Sequence, residues 1–148
     1  MKLVLRGLLG SMLACACTHA LAVPTCAVAT GATLSFGAIV ALASTGDVTS
    51  NSGSSFWVNC TSDVIAAPSL YSATPRVMTF GGNSLPFALS VVSPGGAELP
   101  TASPGAALGL VRNGSNQTVT LHGRVNASQF SSLPAGVYTR SIALTLEY

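Results

Sequence analysis

The last twelve residues of the chain alternate between apolar and polar side chains, and no other stretch constrains the fold as strongly. Residues 137–148 read VYTRSIALTLEY. Every second side chain from Tyr138 to Tyr148 falls on one face, which is apolar except for Arg140. A period of two residues predicts a β-strand with one buried face. We place Arg140 near the solvent end of this strand rather than in the core as a buried counter-charge.

The remainder of the chain has the pattern of short strands. Runs of β-forming residues are separated by Gly, Pro, Ser and Asn clusters, and no helical period extends over ten residues after the first 22. The predicted strands are 26–29, 33–40, 55–61, 75–80, 85–92, 107–112, 117–125 and 137–148. Loops are expected at Ser44–Ser54, Ala66–Ser69, Ser93–Gly105 and Asn126–Gly136. This spacing predicts an all-β, antiparallel β-sandwich.

Two of the predicted strands, 55–61 and 117–125, have an inner and an outer face. The inner side chains are Phe56, Val58, Cys60, Val119, Leu121 and Val125, with Gly123 between the last two. The outer side chains are Trp57, Asn59, Thr118, Thr120, His122 and Arg124. The same alternation predicts that the last strand buries Ile142, Leu144, Leu146 and Tyr148.

The first 22 residues have the features of a secretory signal peptide. Lys2 and Arg6 provide the positive start, Leu8–Ala16 the short apolar core, and Ala20–Ala22 the small-residue cleavage site. The apolar run is too short for a transmembrane helix. We therefore expect an exported chain, with residues 1–22 removed and residues 23–148 forming one domain.

Removal of this signal leaves a chain without net charge. The remaining charged residues are Arg76, Arg112, Arg124 and Arg140 against Asp47, Asp63, Glu98 and Glu147. Charged residues make up 7% of the sequence, whereas roughly 25% is typical of globular proteins. The composition excludes a basic patch for nucleic acid or anionic lipid.

Two cysteines, Cys26 and Cys60, remain after the predicted signal. In an exported chain they most simply form one disulfide, which would close a loop of about 35 residues and stabilise the fold by about 3–4 kcal/mol. A metal site would need more ligands than these cysteines and His122, the single histidine of the processed chain.

No arrangement of residues indicates catalysis. A nucleophile–base pair would have to use His122, which lies on the outer face of a predicted strand, and no serine stands in a GxSxG motif. The four carboxylates have no spacing that pairs them. We predict neither an enzyme nor a cofactor, and we identify no small-molecule substrate.

Several stretches match one known domain family in order. They are Thr25–Val28 with Leu34–Gly37, Phe56–Cys60, Arg76–Phe87, Leu121–Val125 and Pro134–Tyr148. Together they span residues 23–148 and resemble the spore coat protein U domain, a module of subunits of archaic chaperone–usher pili in Gram-negative bacteria. The chain departs from the family at Arg140, where Asp is usual, and in Val92–Ala106, which lacks an aromatic, acidic stretch.

The resemblance implies an immunoglobulin-like sandwich that is incomplete because its final strand is missing. In such subunits a strand from the next subunit fills the groove, and before assembly a strand of the periplasmic chaperone does so. The implied strand-acceptor groove is bordered by Leu34 and Phe36 on one side and by Ile142, Leu144, Leu146 and Tyr148 on the other. Implied partners are the periplasmic chaperone, the outer-membrane usher and neighbouring subunits.

Two functional interpretations are compatible with the sequence. One is a structural subunit of a surface pilus, exported through the periplasm and supporting adhesion and biofilm formation. Because only Val23–Thr25 would precede Cys26, this subunit would accept a strand without donating one and would occupy the fibre tip. The alternative is a self-contained secreted β-sandwich binding domain that does not polymerise, in which 137–148 pairs with an internal strand.

The predicted processing site has a direct test. N-terminal sequencing of the exported protein is expected to begin at Val23. A start well before Val23 would restore an N-terminal extension, and a lipid-modified start at Cys15 would favour the rival site Met12–Cys15, which loosely imitates a lipoprotein signal.

Overall fold

The computed structural model describes residues 23–28, 33–40, 46–50 and 54–148, and the predicted signal peptide lies outside these residues. Ten strands and one short helix are present in the described part of the chain. The strands are β1 (Cys26–Val28), β2 (Val48–Thr49), β3 (Ser54–Cys60), β4 (Ser69–Tyr71), β5 (Val77–Phe80), β6 (Asn83–Pro86), β7 (Ala88–Ser90), β8 (Ala106–Ala107), β9 (Gln117–Val125) and β10 (Thr145–Glu147), and the helix is α1 (Ala127–Phe130).

The larger sheet is organised around β9. Its first half pairs with β3, whereas its second half pairs with β2 and with β7. Beyond β3, β1 forms the edge, where Cys26 lies opposite Cys60. The two cysteines form the predicted disulfide, which joins residues 34 positions apart. Every strand pair is antiparallel.

The second layer consists of the sheet β10–β4–β8 and the hairpin β5–β6. The hairpin turns through Gly81 and Gly82, whose φ angles are 54° and 81°. A two-residue turn with positive φ at both positions matches the right-handed twist of the flanking strands, and glycine adopts it without strain. These pairings, with almost no helix, confirm the predicted all-β antiparallel sandwich.

The core lies between the two layers. Its inner side chains from β3 and β9 are those predicted by alternation, since Phe56, Val58, Cys60, Val119, Leu121 and Val125 are all buried. Trp57, predicted to face outward, is 40% exposed. The second layer contributes chiefly Leu70, Met78 and Leu85 to the same cluster.

Several short elements differ from the sequence prediction. Predicted strand 33–40 is reduced to isolated bridges within its described residues. Predicted strand 107–112 contributes only the last residue of β8, and strand 137–148 is regular only at β10. Conversely, β2 lies in the expected loop Ser44–Ser54, and β4 begins at the end of the expected loop Ala66–Ser69.

The helix α1 also differs from the sequence prediction, which placed a loop at Asn126–Gly136. A residue that is distant in the sequence binds the start of this helix: the Ala127 N–H donates a hydrogen bond to Asp47 Oδ1 at 3.0 Å. Phe130 at its end is completely buried. A four-residue helix shows too little periodicity to be recognised from sequence.

Gly123 of β9 allows the segment Leu34–Phe36 to pack on the sheet. A Cβ atom at this position would come within 2.3 Å of Phe36 Cζ and 2.6 Å of Leu34 Cδ2. We expect Gly123→Ala to lower the free energy of unfolding by about 1–3 kcal/mol because it overpacks this contact. Denaturant titration followed by far-ultraviolet circular dichroism measures the change.

Gly46→Ala is the matched control for this substitution. Its Cβ would meet no atom within 4 Å, so stability should be unchanged or slightly raised. Equal stability of Gly123→Ala and the parent protein would contradict the described packing of Leu34 and Phe36.

Candidate functional site

The C-terminal segment, residues 136–147, is bonded along one edge to the second layer. Thr139 and Thr79 form a β-bridge, and β10 pairs with β4. Between these two pairings, Ser72 Oγ donates to the Ala143 carbonyl at 2.6 Å, and the Ala143 N–H donates to Thr74 Oγ1 at 3.1 Å. The hydroxyls of Ser72 and Thr74 thus hydrogen-bond to the C-terminal segment where regular strand pairing is absent.

The opposite edge of the C-terminal segment makes few backbone hydrogen bonds to the part of the chain that the structure describes. Gly136 forms a bridge with Ile39, with N···O distances of 3.0 and 3.1 Å. Beyond it, Arg140, Ile142 and Leu144 form no backbone hydrogen bond with any other described residue. The alternating residues Thr139, Ala143 and Thr145 make the contacts with the second layer, which is the alternation typical of an extended segment.

The side chains of this segment alternate as the sequence predicted. Ile142, Leu144 and Leu146 are half-buried and pack against the core, whereas the intervening residues Ser141, Ala143 and Thr145 are exposed. The prediction that Tyr148 is buried with the apolar residues of this face is wrong, since its side chain is 50% exposed and it follows the last paired residue of β10, Glu147. The free edge is therefore lined by apolar side chains that the chain itself covers only in part.

Leu34 and Phe36 occupy the same core but on the side of the larger sheet. Phe36 is 8% exposed, packs edge-on against Phe87 with ring centroids 5.9 Å apart, and lies over Gly123 together with Leu34. Leu34 is half-buried. That these residues and the free edge border a single strand-acceptor groove stays a prediction.

One end of the free edge is closed by residues that the sequence prediction did not single out. The Ile39–Gly136 bridge joins the two segments there. The Phe80 ring covers Gly136 so closely that a Cβ on Gly136 would lie 2.3 Å from Phe80 Cε1, and it packs against Tyr138 at a centroid distance of 5.5 Å. The sequence signal was the glycine alone, which does not identify its neighbour.

The predicted loop Ser93–Gly105 is fastened to the body of the fold. Leu99 is buried, and its N–H donates to the Leu89 carbonyl at 2.7 Å. Arg76 donates to the carbonyls of Leu99 and Pro100, and its guanidinium lies 3.9 Å from the Glu98 carboxylate. Burial lowers the pKa of Arg76, while the charge of Glu98 opposes this change.

Other parts of the described chain give little sign of a ligand-binding or catalytic site. His122 and Arg124 line a shallow depression with Ser90 and Gly95. Arg124 is paired with Asp47 at 3.8 Å. Among the described residues, no three metal-ligating side chains cluster, and no helix is long and apolar enough to span a membrane.

Comparisons with known proteins agree with the sequence resemblance. A protein-family model, the Spore Coat Protein U domain, matches residues 12–145. Neither the comparison with curated proteins nor that with solved structures found a match.

Removal of the Arg76 side chain should loosen the Ser93–Gly105 loop. We expect Arg76→Gln to lower the free energy of unfolding by about 2–3 kcal/mol, because two carbonyls lose a charged donor. Glu98→Gln is the matched control, since the Glu98 side chain is 64% exposed and such pairs contribute little, about 0–1 kcal/mol. Equal effects of the two substitutions in chemical denaturation would show that the ion pair, not the carbonyl bonds, holds the loop.

Proposed function

The chain belongs to the spore coat protein U domain family, a family of structural pilus and coat domains rather than enzymes, and we propose that it is a subunit of an archaic chaperone–usher surface pilus. In this proposal, a strand from a partner protein completes the sandwich at the free edge of the C-terminal segment. The observation that carries the proposal is that edge, where Arg140, Ile142 and Leu144 form no backbone hydrogen bond with other described residues.

Strand addition fits both properties of the edge. Unpaired N–H and C=O groups are a template for another strand, and alternating apolar side chains give that strand a defined inner face. Each backbone hydrogen bond formed contributes about 0.5–1.5 kcal/mol net. The free energy of unfolding of a whole domain is roughly 5–15 kcal/mol. Several such bonds, together with the burial of Ile142, Leu144 and Leu146, would contribute a sizeable part of that amount.

The low charge of the chain makes the free edge a liability unless it is covered. Proteins commonly protect edges with charged side chains. Within residues 140–145 the only charged side chain is Arg140, and the exposed face carries Ser141, Ala143 and Thr145. Two partners that cover the edge one after the other would protect it. A periplasmic chaperone would cover the edge after export, and a neighbouring subunit would replace it at the outer-membrane usher.

Adhesion and biofilm formation are the biological role we propose for the fibre. A loop at residues 61–67 presents Ile65, which is 93% exposed. Arg112 holds this loop by donating hydrogen bonds to the carbonyls of Val64, Ile65 and Ala66. A single exposed apolar residue is common on protein surfaces and does not by itself mark a contact site, so the proposed role rests on membership of the family. The position of the subunit within the fibre depends on its N-terminus after processing.

The acceptor role is tested by complementation. The full chain, exported to a bacterial periplasm alone, should be degraded or aggregated, and it should be recovered with its chaperone or with an added nine-residue peptide of alternating apolar residues. Leu144→Asp should abolish recovery because it places a charge among the apolar side chains of the edge. Thr145→Asp, on the exposed face, is the matched control and should be recovered.

The alternative function gives the opposite result. A self-contained binding domain would be monomeric without additions and would unfold cooperatively at high stability. The chaperone and the peptide would then change neither its yield nor its thermal midpoint, and the acceptor proposal would be wrong.

A further inference from the structure

Arg140 is a charged residue in an otherwise apolar row. It falls on the same face of the C-terminal segment as Tyr138, Ile142 and Leu144, but it is exposed. Its backbone groups are also unpaired among the described residues. Arg140 lies four residues from Gly136, where the Ile39 bridge closes one end of the free edge. A cation therefore stands beside the closed end of the proposed acceptor site.

The chain has no acidic side chain that neutralises Arg140. All four carboxylate residues are in the described part of the chain, because the masked stretches contain neither Asp nor Glu. Glu98 pairs with Arg76 and Asp47 with Arg124. Glu147 accepts hydrogen bonds from Ser69 Oγ and the Gly105 N–H, each at 3.3 Å. Asp63, the remaining acid, is in no ion pair with another described residue.

The other three arginines of residues 23–148 are each engaged within the fold. Arg76 and Arg112 donate to backbone carbonyls, and Arg124 contacts Asp47. Among the described hydrogen bonds and ion pairs, Arg140 takes part in none. Its charge is therefore available to a partner.

We propose that Arg140 selects an incoming strand that carries an acidic residue at the end of its apolar row, and that this pair sets the register of the strand. The inference rests on the proposed acceptor function and names the chemistry of the partner. Directly opposed residues in a sheet share a face, so the acid belongs to the same alternating series as the apolar residues that meet Ile142 and Leu144.

A charge is needed here because an apolar row alone defines register poorly. A slip of two residues keeps every apolar side chain on the inner face and displaces the strand by about 7 Å. The same slip separates a carboxylate from Arg140 by more than an ion-pair distance. The pair therefore penalises the slipped register, whereas the contacts of Ile142, Leu144 and Leu146 tolerate it.

Synthetic peptides provide the probe. Each has nine residues, with apolar residues at alternate positions and Glu, Gln or Lys as the terminal member of that series, placed at either end to allow both strand directions. For the full chain, we expect the better-oriented Glu peptide to bind about three- to tenfold more tightly than its Gln counterpart, with Lys weakest. This preference should shrink in 1 M salt.

Substitutions of Arg140 test the assignment. Arg140→Glu should reverse the order, so that the Lys peptide binds most tightly, and Arg140→Gln should abolish the preference while retaining binding. Arg140→Lys should keep the preference for Glu. Asp63→Asn controls for net charge, since it removes one exposed charge elsewhere and should leave the order unchanged.

The outcomes separate this inference from the function on which it rests. Binding of all peptides with equal affinity, or an order unaffected by Arg140→Glu, would overturn the role of Arg140 and leave the acceptor site intact. Binding of none of the peptides, together with no effect on stability, would overturn the acceptor site itself.

Discussion

The pairing of β9 along both of its edges is the interaction on which the rest of the fold depends. On one side it holds β3 and β2, and on the other it holds β7. Through β3 it also positions β1 and the Cys26–Cys60 disulfide. The inner side chains of β9 form the floor on which the second layer packs. The second layer, by contrast, contains the C-terminal segment, in which Arg140, Ile142 and Leu144 form no backbone hydrogen bond with other described residues.

Sequence patterns predicted the long elements well and the short ones poorly. Strand 117–125 was predicted with the observed bounds of β9, and the inner face of β3 was assigned correctly. Nine or seven residues contain enough alternation to define a face. By contrast, β2 and β8 have two residues each, and α1 is held through Asp47, which lies 80 positions from Ala127. Such contacts between distant parts of the chain have no local signature.

The candidate site was predictable in part for the same reason. Alternation identified the apolar face of Ile142, Leu144 and Leu146, because that face is a property of the segment itself. The free edge is a property of what lies beside the segment, so only the structure locates it. The position of Phe36 likewise could not be predicted from its own segment. It depends on the absence of a side chain at Gly123 and on contact with Phe87.

The outward position of Trp57 has a spectroscopic consequence. It is the single tryptophan of the chain, and it lies on the solvent face of β3, opposite Thr118, rather than in the core. Its emission therefore responds to whatever covers the outer face of the larger sheet more than to the filling of the core. The protein thus carries an intrinsic optical probe of side-by-side packing between molecules, which is spatially separate from the edge where a strand would enter.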